Sequence, residues 1–223
     1  MDVELRVAAS ADAARRGAAE AIAEAARRGG HIALSGGSTP APAYAAAAEL
    51  EPDWSKVELW FADERCVPPA DERSNYRLVR ERLLDGLERE PVVHRARGEL
   101  AATEAADLYD AELRGVTIDF ALLGIGPDSH TASLFPNDPA LEELERRAVA
   151  VTHADVDRVT MTLPLLRNAA QVAFLALGAD KADAVRRAFA DPPGPATPAS
   201  LVRSARGLTY AFLDHGASGA LEV

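Results

Sequence analysis

Apolar residues in this chain fall into short continuous runs, separated by longer stretches where alanine, leucine and charged residues recur at helical spacing. Ala11 to Arg28 is alanine-rich with scattered charges and predicts a helix, stopped by Gly29-Gly30, a pair suited to a left-handed cap. His31 to Leu34 predicts a short buried strand. Pro40 to Leu50 predicts a helix that accommodates Pro42 in its first turn. Val57 to Phe61 is the next strand, and helical spacing returns over Asn75 to Leu84 and Glu99 to Leu113, with Val92 and Val93 as a short strand between them.

Ile118 to Leu123 is continuously apolar, as strands are in sheets covered on both faces. Further strands are expected at Ala148 to His153, Val159 to Leu163, Val172 to Leu177 and Leu208 to Leu213. Helices are expected at Pro164 to Asn168 and Lys181 to Ala190, the latter followed by a proline-rich loop from Asp191 to Pro195. This alternation predicts an α/β fold with a mainly parallel sheet. Ligands of such sheets bind beyond the carboxyl ends of the strands, so the chemistry is expected in the segments that directly follow them.

Composition narrows the picture. The 223 residues carry no repeat and no long linker, which predicts a single domain over 1–223, and 48% apolar content suffices for a continuous core. A net charge of -11 disfavours nucleic acid and anionic membrane surfaces, both of which require a basic face. One cysteine, Cys66, excludes an internal disulfide and any cysteine-clustered metal site. No leader-like segment opens the chain and no apolar run approaches the roughly 20 residues that span a bilayer, so a cytoplasmic protein is expected.

Four post-strand segments could carry chemistry. Ser35-Gly36-Gly37-Ser38-Thr39-Pro40 enters a helix, where backbone N–H groups, two hydroxyls and the helix dipole could cradle a phosphate; a plain turn capped by Thr39 is the alternative. It is neither a Walker loop nor the dinucleotide pattern. In Asp63-Glu64-Arg65 the arginine could pair with phosphate or steady an oxyanion, or the triplet could be a solvated turn. Cys66 has no histidine partner in sequence and is expected to be a buried, inert thiol.

Gly124 to Pro136 breaks a strand with Gly124 and Gly126, offers Asp128 as a cap and puts His130 in the first turn of an expected helix, as a base or a structural histidine. In Gly178-Ala179-Asp180-Lys181, Asp180 could cap the next helix, while Lys181 opposes its dipole unless an anion lies there. Arg203, in Pro198 to Arg203, adds one more basic residue.

Taken in order, these segments resemble the 6-phosphogluconolactonase family: SGGSTP at Ser35 to Pro40, FADERCVP at Phe61 to Pro68 with SNYRLVRERLL at Ser74 to Leu84, GIGPDSHTASLFP at Gly124 to Pro136, GADK at Gly178 to Lys181 and PASLVR at Pro198 to Arg203. The resemblance implies a Rossmann-like α/β fold with helices on both faces of the sheet, as in the glucosamine-6-phosphate deaminases that share it. After the shared histidine, deaminases typically end in Asn-Glu-Pro, whereas Leu134-Phe135-Pro136 has the lactonase form. The family usually has glycine where this chain has Ser129; a positive φ there would strain serine by about 1 kcal/mol.

The resemblance further implies hydrolysis of 6-phospho-D-glucono-1,5-lactone without metal or cofactor. His130 would be the base, since imidazoles titrate near neutrality, at about 6.5. Asp128 would orient it, with Arg65 and Asp63 completing the catalytic set. Gly36, Gly37, Ser38, Thr39, Arg65, Lys181 and, more weakly, Arg203 would hold the phosphate. The expected partner is a sugar-phosphate lactone, and the expected state a monomer or weak homo-oligomer. Rival readings are an amino-sugar-phosphate deaminase using Asp63 or Glu64 as base, and a non-catalytic sugar-phosphate sensor.

Overall fold

The structure is a computed structural model and describes residues 3–154 and 156–221. Ten strands are present among them: β1 (Glu4–Ala8), β2 (Gly30–Leu34), β3 (Val57–Phe61), β4 (Asp63–Arg65), β5 (Val92–His94), β6 (Phe120–Gly124), β7 (Ala148–His153), β8 (Val156–Met161), β9 (Gln171–Ala176) and β10 (Leu208–Asp214). The helices are α1 (Ala11–Arg28), α2 (Ala41–Leu50), α3 (Asn75–Arg82), α4 (Ala102–Glu112), α5 (Leu163–Arg167), α6 (Ala182–Phe189), α7 (Pro198–Leu201) and α8 (His215–Ser218).

Seven strands form one parallel sheet in the order β1-β10-β9-β6-β2-β3-β5. Side chains alternate across it. Ile32, Leu34, Phe61, Phe120 and Leu122 pack on one face with Ile22 of α1 and Tyr44 of α2; Ala33, Trp60, Ala121 and Leu123 pack on the other with Tyr109 of α4 and Val185 of α6. The expected α/β architecture, covered on both faces, is therefore present.

A second sheet, β4-β8-β7, is antiparallel and lies past the end of β3. It places Asp63 opposite Thr160 and Arg65 opposite Arg158.

Local chemistry explains the element ends. The α1 helix starts at Ser10, whose hydroxyl accepts from the Ala13 N–H, and stops at Gly29 with φ 75°. Asp12 in its first turn and Arg27 and Arg28 in its last complement the helix dipole. The strand expected over Val159 to Leu163 runs instead from Val156 to Met161, because Leu163 and Pro164 already open α5.

The helix expected to hold His130 is absent. Ser129 (φ 72°) and Ala132 (φ 49°) lie in the left-handed region on either side of it, and the segment is a folded loop.

Candidate active site

Strands β2, β3, β6 and β9 deliver their following segments to one end of the sheet, around a cavity of about 240 Å³. Its lining includes Ser35 to Pro40, Asp63, Arg65, Asn75, Gly124 to Pro127, His130, Arg158 and Lys181. The cavity lies beyond the ends of β6, β2 and β3, where β2 meets neighbours reached by crossovers in opposite directions, the usual ligand position in such sheets.

Two glycines in the lining are required by close approach or conformation. A Cβ on Gly36 would lie 1.7 Å from Asn75 Oδ1, and Gly37 has φ 102°. Thr39 does not cap α2: Pro40 is the N-cap and no side chain bonds there. The Ser35 N–H donates to Leu122 O (3.1 Å), which leaves the amides of Gly36 to Thr39 at the helix start to favour an anion.

After β6, the neighbour of β2 in the sheet, the loop turns back on itself. The Ser129 N–H donates to Gly126 O (2.9 Å), and the Gly126 N–H donates to His130 O (2.9 Å). This brings the imidazole onto Gly126, where a Cβ would lie 2.1 Å from His130 Nδ1.

Asp128 Oδ1 accepts from the His130 N–H (3.1 Å) and lies 2.6 Å from His130 Nδ1. A carboxylate at Nδ1 keeps the proton there and leaves Nε2 with its lone pair. Burial raises the Asp128 pKa, but the hydrogen bond from the His130 N–H and the attraction of the imidazole outweigh it and hold the carboxyl below its ordinary value.

The charge balance of the lining is positive. Arg65, Arg158 and Lys181 face one carboxylate, Asp63. Burial and the nearby Arg65 both lower the Arg158 pKa, with Asp63 acting the other way. Arg65 is fixed by donation from Nη1 to Asn75 Oδ1 (2.6 Å) and to Arg73 O (2.9 Å).

Buried Asp63 ties the two sides together. Its Oδ2 accepts from Ser133 Oγ (2.6 Å) in the histidine loop, and its Oδ1 accepts from Asn75 Nδ2 (3.1 Å) at the start of α3. Glu64 is buried and outside the cavity lining, its oxygens accepting from the N–H groups of Arg65, Asn75 and Tyr76 and from Ser74 Oγ. Burial raises the Glu64 pKa against the pull of those bonds.

Lys181 reaches the cavity from a turn that starts at Gly178, with φ 95° and its N–H bonded to the Asp214 carboxylate. Asp180 does not cap α6, since Lys181 itself is the N-cap and no side chain bonds there.

Arg203 is a correction. It is outside the lining, and its guanidinium donates to the Ala199, Val202 and Ala188 carbonyls beside the Phe189 ring. Burial lowers its pKa to about 10, and it serves to tie the ends of α6 and α7.

Arg158 and Asn75 are cavity residues that the chain pattern did not single out. Asn75 is the second residue of the SNYRLVRERLL segment, which gave a signal, while Arg158 lies in a strand whose partner β4 is remote in sequence.

Known proteins resemble this chain in sequence and fold. Residues 4–211 match the family described as glucosamine-6-phosphate isomerases/6-phosphogluconolactonase. A 6-phosphogluconolactonase from Treponema pallidum is 38% identical over 72% of this chain and 73% of its own length. One from Haemophilus influenzae is 33% identical over 84% and 85%.

Among solved structures, a 6-phosphogluconolactonase from Trypanosoma cruzi superposes with TM-score 0.88 at 27% identity, covering 100% of this chain and 99% of that one. A monomeric glucosamine-6-phosphate deaminase shares the fold, with TM-score 0.87 at 18% identity over 98% of this chain and 100% of that one. With nearly its whole length matched, the chain belongs to the glucosamine-6-phosphate isomerase/6-phosphogluconolactonase family.

Proposed function

We propose that this protein hydrolyses 6-phospho-D-glucono-1,5-lactone to 6-phospho-D-gluconate, the lactonase step of the oxidative pentose phosphate pathway, with His130 as general base. The observation that carries this reading is one cavity whose lining combines a carboxylate-held imidazole with a glycine loop and the cations Arg65, Arg158 and Lys181. Relatives named 6-phosphogluconolactonase, similar over most of their length, support the substrate.

The phosphate dianion seats on the amides of Gly36 to Thr39 and the side chains of Arg65, Arg158 and Lys181, which also draw an anion towards a protein of net charge -11. His130 Nε2 removes a proton from water as the water adds to the lactone carbonyl. The tetrahedral oxyanion is stabilised by the positive lining, and the imidazolium returns its proton to the departing ring oxygen. Asp128 keeps the imidazole in the required tautomer and orientation. Asp63 acts as an organiser, because both of its oxygens are engaged. The imidazole supplies the proton transfers and the cations supply the electrostatics, so the step needs no metal or cofactor.

The deaminase reading has less support, since Glu64 lies outside the cavity lining with both oxygens bonded and each Asp63 oxygen already accepts a hydrogen bond. We take residues 1–223 as one domain acting in the cytoplasm as a monomer or weak homo-oligomer; no helix among the described residues is long and apolar enough to cross a membrane. The test is a coupled assay with freshly generated lactone against its spontaneous hydrolysis. Turnover no faster than the spontaneous rate, or ammonia release from glucosamine 6-phosphate, overturns the reading.

A further inference from the structure

Arg187 takes no part in the reaction as set out above, yet both of its hydrogen bonds enter the histidine loop. From α6, its Nε donates to Ser129 Oγ (3.0 Å) and its Nη2 donates to Pro127 O (2.9 Å). The two acceptors flank Asp128, the residue whose carboxylate holds the His130 ring. Ser129 is fully buried at φ 72°, a conformation that an L-residue keeps only when its surroundings fix it. On its other side, Ser129 O accepts from the Ala199 N–H (3.0 Å).

Arg187 does not line the cavity, so it is not a further phosphate ligand. Its planar fork satisfies two acceptors at once, which a single ammonium on a flexible stem does poorly. It holds the Pro127–Asp128 peptide on one side of Asp128 and the Ser129 side chain on the other and, with them, the direction from which the carboxylate meets Nδ1. The same helix begins at Lys181, about 9 Å away along the axis, so the base and one cation of the cavity share a rigid mount.

We propose that Arg187 is a positioning residue, which clamps the turn carrying Asp128 and His130 through Ser129 Oγ and Pro127 O and so sets the placement of the base. The kinetic part rests on the lactonase reading.

The test uses Arg187→Ala, Arg187→Lys, Ser129→Ala and the Arg187→Ala/Ser129→Ala double variant, with kinetics and amide hydrogen exchange on the full chain. Arg187→Ala should lower kcat by about tenfold or more, with KM within about twofold of the parent. Arg187→Lys should recover little of that loss, and adding Ser129→Ala to Arg187→Ala should cost less than Ser129→Ala costs alone.

The Ser129 and His130 amides should exchange about tenfold faster in Arg187→Ala, while the β9 amides remain as in the parent. Unchanged kcat, full rescue by lysine, strict additivity or unchanged loop exchange would overturn the clamp. If Arg187→Ala does not fold, Arg187→Lys and Ser129→Ala carry the same readouts. Absent parental turnover would sink the lactonase reading, and the exchange arm would still decide the clamp.

Discussion

Arg65 and Arg158 face each other directly across the β4–β8 pair, two positive side chains at opposed positions of an antiparallel ladder at the cavity wall. Like charges so placed repel, by about 0.2–1 kcal/mol in ordinary sheets. Asp63, a neighbouring carboxylate, offsets part of this. A bound dianion removes the remainder, so the pair stores a preference for an anionic ligand.

Replacing Arg158 with methionine separates these two effects. The ligand-free protein should lose no more than about 1 kcal/mol of stability, because the lost repulsion compensates the lost contact with the Phe135 ring. KM should rise about 10–100-fold, as expected for one charged hydrogen-bonding group. Thermal melts with and without inorganic phosphate, alongside kinetics, check both. A variant with an unaltered KM would remove Arg158 from the phosphate site.

His130→Ala should lower kcat by about 10²–10⁴-fold, the range for loss of a positioned base. KM should stay within about threefold, since the cations are untouched. Asp128→Asn should lose less, because the side-chain oxygen can still accept the His130 N–H while its pull on Nδ1 weakens.

The sign of the pH effect follows from the depressed Asp128 pKa. Its ionised carboxylate, the form that holds the His130 ring, is present above the ordinary carboxylate value of 3.8 and is lost only as pH falls through the lower folded value. Asp128 titration therefore makes no contribution to any loss of activity between neutral pH and about pH 5, so an acidic limb in that window should persist in Asp128→Asn. A pH–rate profile of parent and variant reads this directly.

Much of this site was legible in the chain because its segments follow strands that end in apolar runs, such as the Leu-Trp-Phe of β3 and the Phe-Ala-Leu-Leu of β6. What escaped depends on register between remote segments. β4 is three polar residues held by backbone pairing with β8, so neither the strand nor the Arg65–Arg158 opposition leaves a hydrophobic pattern. β1 is an edge strand with mostly exposed side chains and was hidden for the same reason. Arg203 shares a motif with cavity residues but turns its guanidinium to three carbonyls, a direction that motif order does not encode. The His130 loop was found by its glycines and misread as a helix, because Ser129 gives no sign in isolation that it adopts φ 72°.

Gly126 and Gly124 make a matched pair for testing how the base is seated. A Cβ on Gly126 would meet His130 Nδ1 at 2.1 Å and Asp128 Oδ1 at 2.7 Å, so Gly126→Ala must push the imidazole and its partner apart. Its kcat should fall about 10–100-fold, as for a displaced catalytic group. A Cβ on Gly124 would meet no protein atom within 4 Å, so Gly124→Ala should leave the imidazole seated, and any effect of the methyl on the cavity it lines should appear in KM rather than kcat. Equal effects of the two substitutions would contradict the close packing of the ring on Gly126.

Cys66 lies just past Arg65, close enough to the site for thiol reagents to be read as active-site probes if it were reactive. Burial, with the negative charges of Asp157 and Glu64, pushes its thiol pKa up to about 11. A raised thiol pKa keeps the sulfur protonated throughout the neutral range, and at pH 8 a thiolate fraction of about one in a thousand follows. Alkylation by iodoacetamide should therefore be slow at pH 8 and quicken about tenfold per pH unit up to about pH 11. Cys66→Ala should retain parental kcat, because the proposed chemistry uses no thiol. Rapid alkylation at pH 8 with matching loss of turnover would place a reactive nucleophile beside the cavity and require a different mechanism.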